Sequence, residues 1–154
     1  MIFKIKIQNL DKLVSAVEKS PKMVFDELSR AITTSVNLIR PIMRGEAPKG
    51  KTRKLSENIY ARSFGLKGEV GPNLDITPYA LYVHRGTGLF GPHATRIRPT
   101  TKNALYWKGA LHPVKSVKGQ VANPFVERTF GQIKEPVIRI FGNTIRRITG
   151  NLAV

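Results

Sequence analysis

The chain contains no cysteine. Disulfides, thiolate nucleophiles, zinc–thiolate sites and iron–sulfur clusters are therefore excluded. Acidic residues are scarce: ten Asp and Glu stand against 26 Lys and Arg, a formal net charge of +16 over 154 residues. None of the acids falls between Asp75 and Glu127. Aromatic residues make up 8% of the chain, with a single tryptophan. No apolar run approaches the roughly 20 residues that a membrane-spanning helix needs, and there is neither an internal repeat nor a low-complexity segment. The opening Met1–Ile7 alternates apolar and basic residues and so lacks the apolar block of a secretory signal. A soluble protein of a cytoplasm-like compartment, with no membrane partner, is expected.

What is present fits one compact domain spanning 1–154. The composition is 41% hydrophobic and 23% charged, and this length buries a core without a disulfide or metal staple. The basic excess runs through the whole chain, so the folded molecule repels itself. Such a charge is better tolerated beside a polyanion or an acidic protein surface.

Hydropathy patterning then orders the elements. Phe3, Ile5 and Ile7 alternate with Lys4 and Lys6, the period of a half-buried strand. Asn9 is an N-cap candidate for a short helix through Leu10, Leu13, Val14 and Val17. Ser20-Pro21 pairs a cap with a first-turn proline and opens a longer helix. Its apolar stripe is Val24, Leu28, Ala31, Ile32, Ser35/Val36, Ile39 and Ile42/Met43. Pro41 is expected to kink or end that helix. Residues 45–54 read as a basic loop.

Ile59–Phe64 and Glu69–Gly71 have strand character around a Gly65–Gly68 turn. Ile97–Pro99, Ala104–Trp107 and Leu111–Val117 are further strand candidates broken by proline and glycine, and Pro78–Arg85 suits one or two helical turns. Asn123-Pro124 repeats the cap-plus-proline device before a C-terminal helix. Val126, Phe130, Ile133, Val137, Ile140/Phe141, Ile145 and Ile148 mark its expected buried face. The fold class is α+β, with N-terminal and C-terminal helices packed on a small, mostly antiparallel sheet.

Constellations for chemistry are weak. Gly86-Thr87-Gly88-Leu89-Phe90-Gly91 has the glycine spacing of a dinucleotide fingerprint, but Pro92 follows directly. No acid stands about 20 residues on to hold a ribose. His84, His93 and His112 have no carboxylate between them in sequence to complete a metal site. A basic nuclease using these histidines is a third-ranked reading. Glu46, Glu57, Glu69 and Asp75 show no pairing, and no nucleophile elbow is present. The chain is expected not to be an enzyme and to carry no cofactor or metal.

Basic clusters remain: Lys49, Lys51, Arg53 and Lys54 in the loop, and Arg96, Arg98 and Lys102 further on. Arg96 and Arg98 flank Ile97 on an extended segment, which directs both one way and Ile97 to the core. Tyr106 and Trp107 are expected in the core, with stacking on bases as the alternative.

Four segments, in order, carry a resemblance. A long helical region ends in Ala47-Pro48 and leads to Leu55-Ser-Glu-Asn-Ile59. Tyr79-Ala-Leu-Tyr-Val-His-Arg-Gly-Thr87 follows, then Ile97-Arg-Pro99 with Ala104-Leu-Tyr-Trp107, and finally Asn123-Pro-Phe-Val126. Together they resemble the small head–tail joining (neck or tail-completion) proteins of long-tailed bacteriophages and prophages, over most of the chain. Two positions depart from that pattern. Thr52-Arg53-Lys54-Leu55 stands where the family has threonine-glycine-x-leucine, and His84 where it has a glutamate.

The resemblance implies a structural virion protein at the head–tail joint, assembled in the host cytoplasm. It also implies a homo-oligomeric ring between neck or connector and tail-tube proteins, with non-specific contact to packaged DNA. Tyr79, Tyr82, His84, Gly86, Thr87, Gly88, Pro124 and Phe125 are then the subunit-interface candidates, the glycines supplying loop freedom that docking would freeze. Lys49, Lys51, Arg53, Lys54, Arg96, Arg98 and Lys102 are candidates for contact with DNA or an acidic partner. The alternative is a basic nucleic-acid-binding module.

Overall fold

The computed structural model describes Val14 and residues 18–150. The expected strand at Ile2–Ile7 and the Asn9 cap lie outside the described residues; of the short helix that follows, Val14, Glu18 and Lys19 are helical. Next come α1 (Pro21–Glu46), α2 (Lys54–Glu57), β1 (Ile59–Phe64), β2 (Lys67–Pro72), α3 (Ala80–Arg85), a 3-10 turn (Gly88–Phe90) and α4 (Phe125–Gly150). The two strands form an antiparallel sheet, and the long helices pack on it, an α+β arrangement.

Contacts divide the chain into two compact units. One comprises residues 1–42, 60–71 and 131–154; the other comprises 43–59 and 72–130. In the first unit, Val24 of α1 meets Ile148 of α4, with Leu28 packed beside them. Both are almost fully buried, and each such side chain is worth about 1.5–3 kcal/mol removed from water. The hairpin lies close on α1. A Cβ on Gly68 would come within 2.6 Å of Val36 and 2.8 Å of Ile32, so glycine is what lets the strand approach. Thr33 and Ser63 hydroxyls meet at 3.0 Å. On the hairpin's surface, Lys67 Nζ lies 2.7 Å from Glu69 Oε1. That hydrogen bond and charge raise the lysine pKa and lower the glutamate's. The pair is exposed and adds little stability.

The α1 stripe is buried as its spacing implies, with Val24, Ala31, Ser35, Val36 and Met43 innermost. Pro41, however, does not end the helix, which continues to Glu46. The last turn is held in the second unit: Met43 is buried, its carbonyl accepts the Ala47 amide at 2.9 Å, and Arg44 Nη2 donates to the Glu57 carbonyl at 2.8 Å. The expected loop at 45–54 is correspondingly shorter, because Gly45 and Glu46 are helical and Lys54 opens α2.

Two further corrections concern packing. The three strand candidates between 97 and 117 form no sheet; they meet only through the antiparallel bridges Ile97–Val117 and Leu105–Val114. Pro99 and Pro113 have no amide to extend a ladder. On α4, Val126 and Phe130 are exposed, whereas Phe125, Thr129, Ile133, Thr144 and Ile148 are buried. The inward face is thus set one residue earlier at the start of the helix. Thr129 fits it because its hydroxyl donates to the Phe125 carbonyl at 2.7 Å, leaving no polar group unpaired.

Candidate functional site

The second unit carries most of the candidate residues, and its geometry centres on the glycine loop. α3 ends at Arg85, and Gly86 takes φ +76° to turn the chain. The loop then lies against residues 117–122. Thr87 N donates to Gln120 O at 2.9 Å and Leu89 N to Lys118 O at 2.8 Å. In return, Gln120 N donates to Thr87 Oγ1 at 2.9 Å. The backbones come so close that a Cβ on Gly88 would sit 2.2 Å from Lys118 O, and one on Gly119 2.1 Å from Thr87 O. Gly86 is similarly hemmed by Phe90 O at 2.4 Å.

These glycines therefore serve close approach within the chain, in place of the loop freedom expected of them. The same hydrogen bonds answer the fingerprint question. The amides of Thr87, Leu89, Phe90 and Gly91 all donate to carbonyls of the chain itself, so they are not free to cradle a phosphate.

Beside this loop is an open groove of about 420 Å3. Its walls include Leu81 and Tyr82 from α3 and Ile97 from the bridged segment, and Arg85, His93 and Arg96 line it as well. Ile97 is 38% exposed, so it does not enter the core as its alternation implied. Arg96 Nε donates to Ser116 Oγ at 3.0 Å, which fixes the guanidinium. No carboxylate lines the groove.

Other candidates differ in burial and partners. His84 is mostly buried on the other side of α3, with Nε2 3.1 Å from Glu127 Oε1 and its ring edge-on to Phe125 at 5.5 Å. Its Nδ1 is buried without a hydrogen-bond partner. Phe125 is 1% exposed, so its anchoring contact is intramolecular. Gly86 is buried as well, whereas Tyr79, Tyr82 and Pro124 are exposed. Lys49, Lys51, Arg53 and Lys54 are all exposed before and at the start of α2, and so are Arg98 and Lys102. Arg53 has φ +50°, a left-handed conformation that a side chain disfavours.

Tyr106 and Trp107, expected in the core, are 68% and 52% exposed. Leu111, near the far end of the bridged segment, is 98% exposed. A contact missed from the sequence ties the start of α4 to the end of α1 within this unit. Arg128 Nε donates to Glu46 Oε2 at 2.7 Å, and its Nη2 to Asn123 Oδ1 at 2.7 Å. The acid-and-arginine pair, 82 residues apart in sequence, carries no local signal. Asn123 gives its side-chain oxygen to this arginine.

Among the described residues, no three His, Asp or Glu side chains cluster as a metal site, and no helix is long and apolar enough to cross a membrane. No protein-family model, curated protein or solved structure matches the chain.

Proposed function

We propose that the protein is a structural virion component of a tailed bacteriophage, joining or completing the tail at the head as part of a homo-oligomeric ring. The observation that carries this reading is the surface of the second unit. Tyr82, Phe90, Tyr106, Trp107, Leu111 and Val121 are all exposed there, in a stretch without a single acid. Large apolar side chains left in water at this density mark surfaces that another protein covers. The left-handed backbone at Arg53 adds support, since that is a position where glycine is the unstrained choice, and glycine is what the resembled family places there. On this reading the partners are copies of the chain, neighbouring neck, connector or tail-tube proteins, and packaged DNA passing by. The site of action is the head–tail joint.

Electron microscopy of particles made without this gene tests it. The expected result is filled heads lying beside unattached tails or tails of irregular length; normally joined particles would overturn the reading. The variant Lys51→Glu/Arg53→Glu/Lys54→Glu should impair joining while leaving the monomer folded.

A second reading, a basic nucleic-acid-binding module, is favoured by the exposure of Tyr106 and Trp107 next to Lys108. Aromatic faces beside cations are what a single-strand platform needs. A salt titration of DNA affinity separates the two. Tight binding that persists at physiological salt, with a slope counting neutralised phosphates, supports the module. Weak binding that vanishes there supports the structural role.

A further inference from the structure

The groove beside the glycine loop brings together residues that neither reading treats as one site. Twelve residues line it. Two are arginines and one is a histidine; the rest are apolar or uncharged. Leu81, Tyr82 and Ile97 keep 38–62% of their surface exposed, so the walls are apolar and wet. Arg85 forms no ion pair among the described residues, and Arg96 is steadied by an uncharged serine hydroxyl. Two guanidinium groups thus flank an apolar cleft without any counter-charge.

We propose that this groove binds an acidic segment of a partner polypeptide, its carboxylates meeting Arg85 and Arg96 and an apolar side chain seated against Leu81, Tyr82 and Ile97. The planar fork of an arginine matches a carboxylate with two parallel hydrogen bonds. Charge complementarity chooses the occupant. A second copy of this chain is a poor donor of such a segment, because it has ten acids in 154 residues. A nucleic acid is a poor fit for a different reason. Its grip needs a track of cations along many phosphates, whereas this groove is short and the loop's amides at Thr87, Leu89, Phe90 and Gly91 are already donated within the chain. The groove's volume, about 420 Å3, suits a few side chains of a peptide rather than a polymer backbone. The choice of a protein partner rests on the assembly reading above; the groove's chemistry stands without it.

The test is fluorescence polarisation on the purified full-length protein with a labelled, N-acetylated hexapeptide, Asp-Glu-Leu-Phe-Asp-Glu. Two comparison peptides replace the acids by their amides or the Leu-Phe pair by Ser-Ser, and a single-stranded oligothymidine is the fourth probe. The acidic–apolar peptide should bind best, with each comparison peptide about tenfold weaker. Arg85→Gln, Arg96→Gln and Leu81→Ser should each weaken it by about tenfold, with unchanged circular dichroism; Lys134→Gln on α4 should leave it unaffected. All three altered side chains lie at the surface, so the fold is not at stake.

Equal binding of the acidic Ser-Ser peptide, or indifference to the groove variants, would overturn the proposal and reduce the effect to net charge. Oligothymidine binding more tightly, and falling with the same variants, would overturn it in favour of a nucleic-acid site. Particle morphology reports separately on the assembly reading. Peptide binding with normal particles removes the virion role and keeps the groove; defective particles without peptide binding do the reverse.

Discussion

Glycine acts in opposite ways at different positions of this chain. Gly88 has φ +63° and no room for a side chain beside Lys118. Gly142 sits inside α4, where a Cβ would meet nothing within 4 Å. Gly88→Ala should therefore destabilise by about 2–4 kcal/mol through backbone strain and displacement of the facing segment. Gly142→Ala should stabilise by about 0.5–1 kcal/mol through helix propensity. Urea midpoints moving in opposite directions are the expected outcome. Arg53→Gly belongs with the second group, because it removes a left-handed side chain worth about 1 kcal/mol of strain. The need for a positive φ at Arg53 has no local signal in the sequence. Neither has the crossing of Gly88 and Gly119, which lie 31 residues apart in sequence and whose packing only the fold can specify.

At the level of elements, α4 is held by what its face presents at residues 125, 129 and 133. Phe125→Ala should cost about 3–5 kcal/mol as a buried aromatic lost. Thr129→Val keeps the volume and should cost no more than about 1 kcal/mol, since the hydroxyl only adds a bond to a carbonyl of its own helix. Thermal or urea unfolding of the two variants checks the contrast. This face also marks where patterning stops being informative. β1 was legible to the residue, because Ile59, Tyr60 and Phe64 favour a strand and Gly65 follows directly as a turn residue. The α1 stripe was legible too, being long and strongly periodic. On α4, hydrophobicity favoured Val126 and Phe130 as inward residues. The fold turns in Phe125 and Thr129, because a threonine that bonds its own backbone buries at little cost. The spacing of Phe125, Thr129 and Ile133 at i, i+4, i+8 was the available signal. The bridged segment 97–117 pairs only at two bridges, since Pro99 and Pro113 lack the amide a ladder needs and Gly109 has no side chain to pack on a strand face. Of the candidate site, the sequence singles out the stretch Tyr79–Gly91 as a motif, whereas the groove beside it requires Ile97 to be exposed, which its alternation does not signal.

For the molecule as a whole, a charge of +16 opposes compaction. Adding salt screens that general repulsion, which here outweighs the loss from screening of ion pairs. The melting temperature should accordingly rise by a few degrees as sodium chloride increases from about 20 to about 200 mM, by differential scanning fluorimetry. A flat or falling curve would mean that ion pairs such as Arg128–Glu46 and Arg147–Glu27 outweigh the general repulsion. The bridge between Ile97 and Val117, with both N···O distances at 3.0 Å, has a consequence for the chain's evolvability. Everything between those two residues leaves and returns at one doorway, a clasp closed by a pair of backbone hydrogen bonds. Lengthening or shortening such an excursion changes its closure entropy only slowly. Its basic, aromatic tip is thus a cassette that can be re-cut for a new surface while the rest of the unit keeps its place.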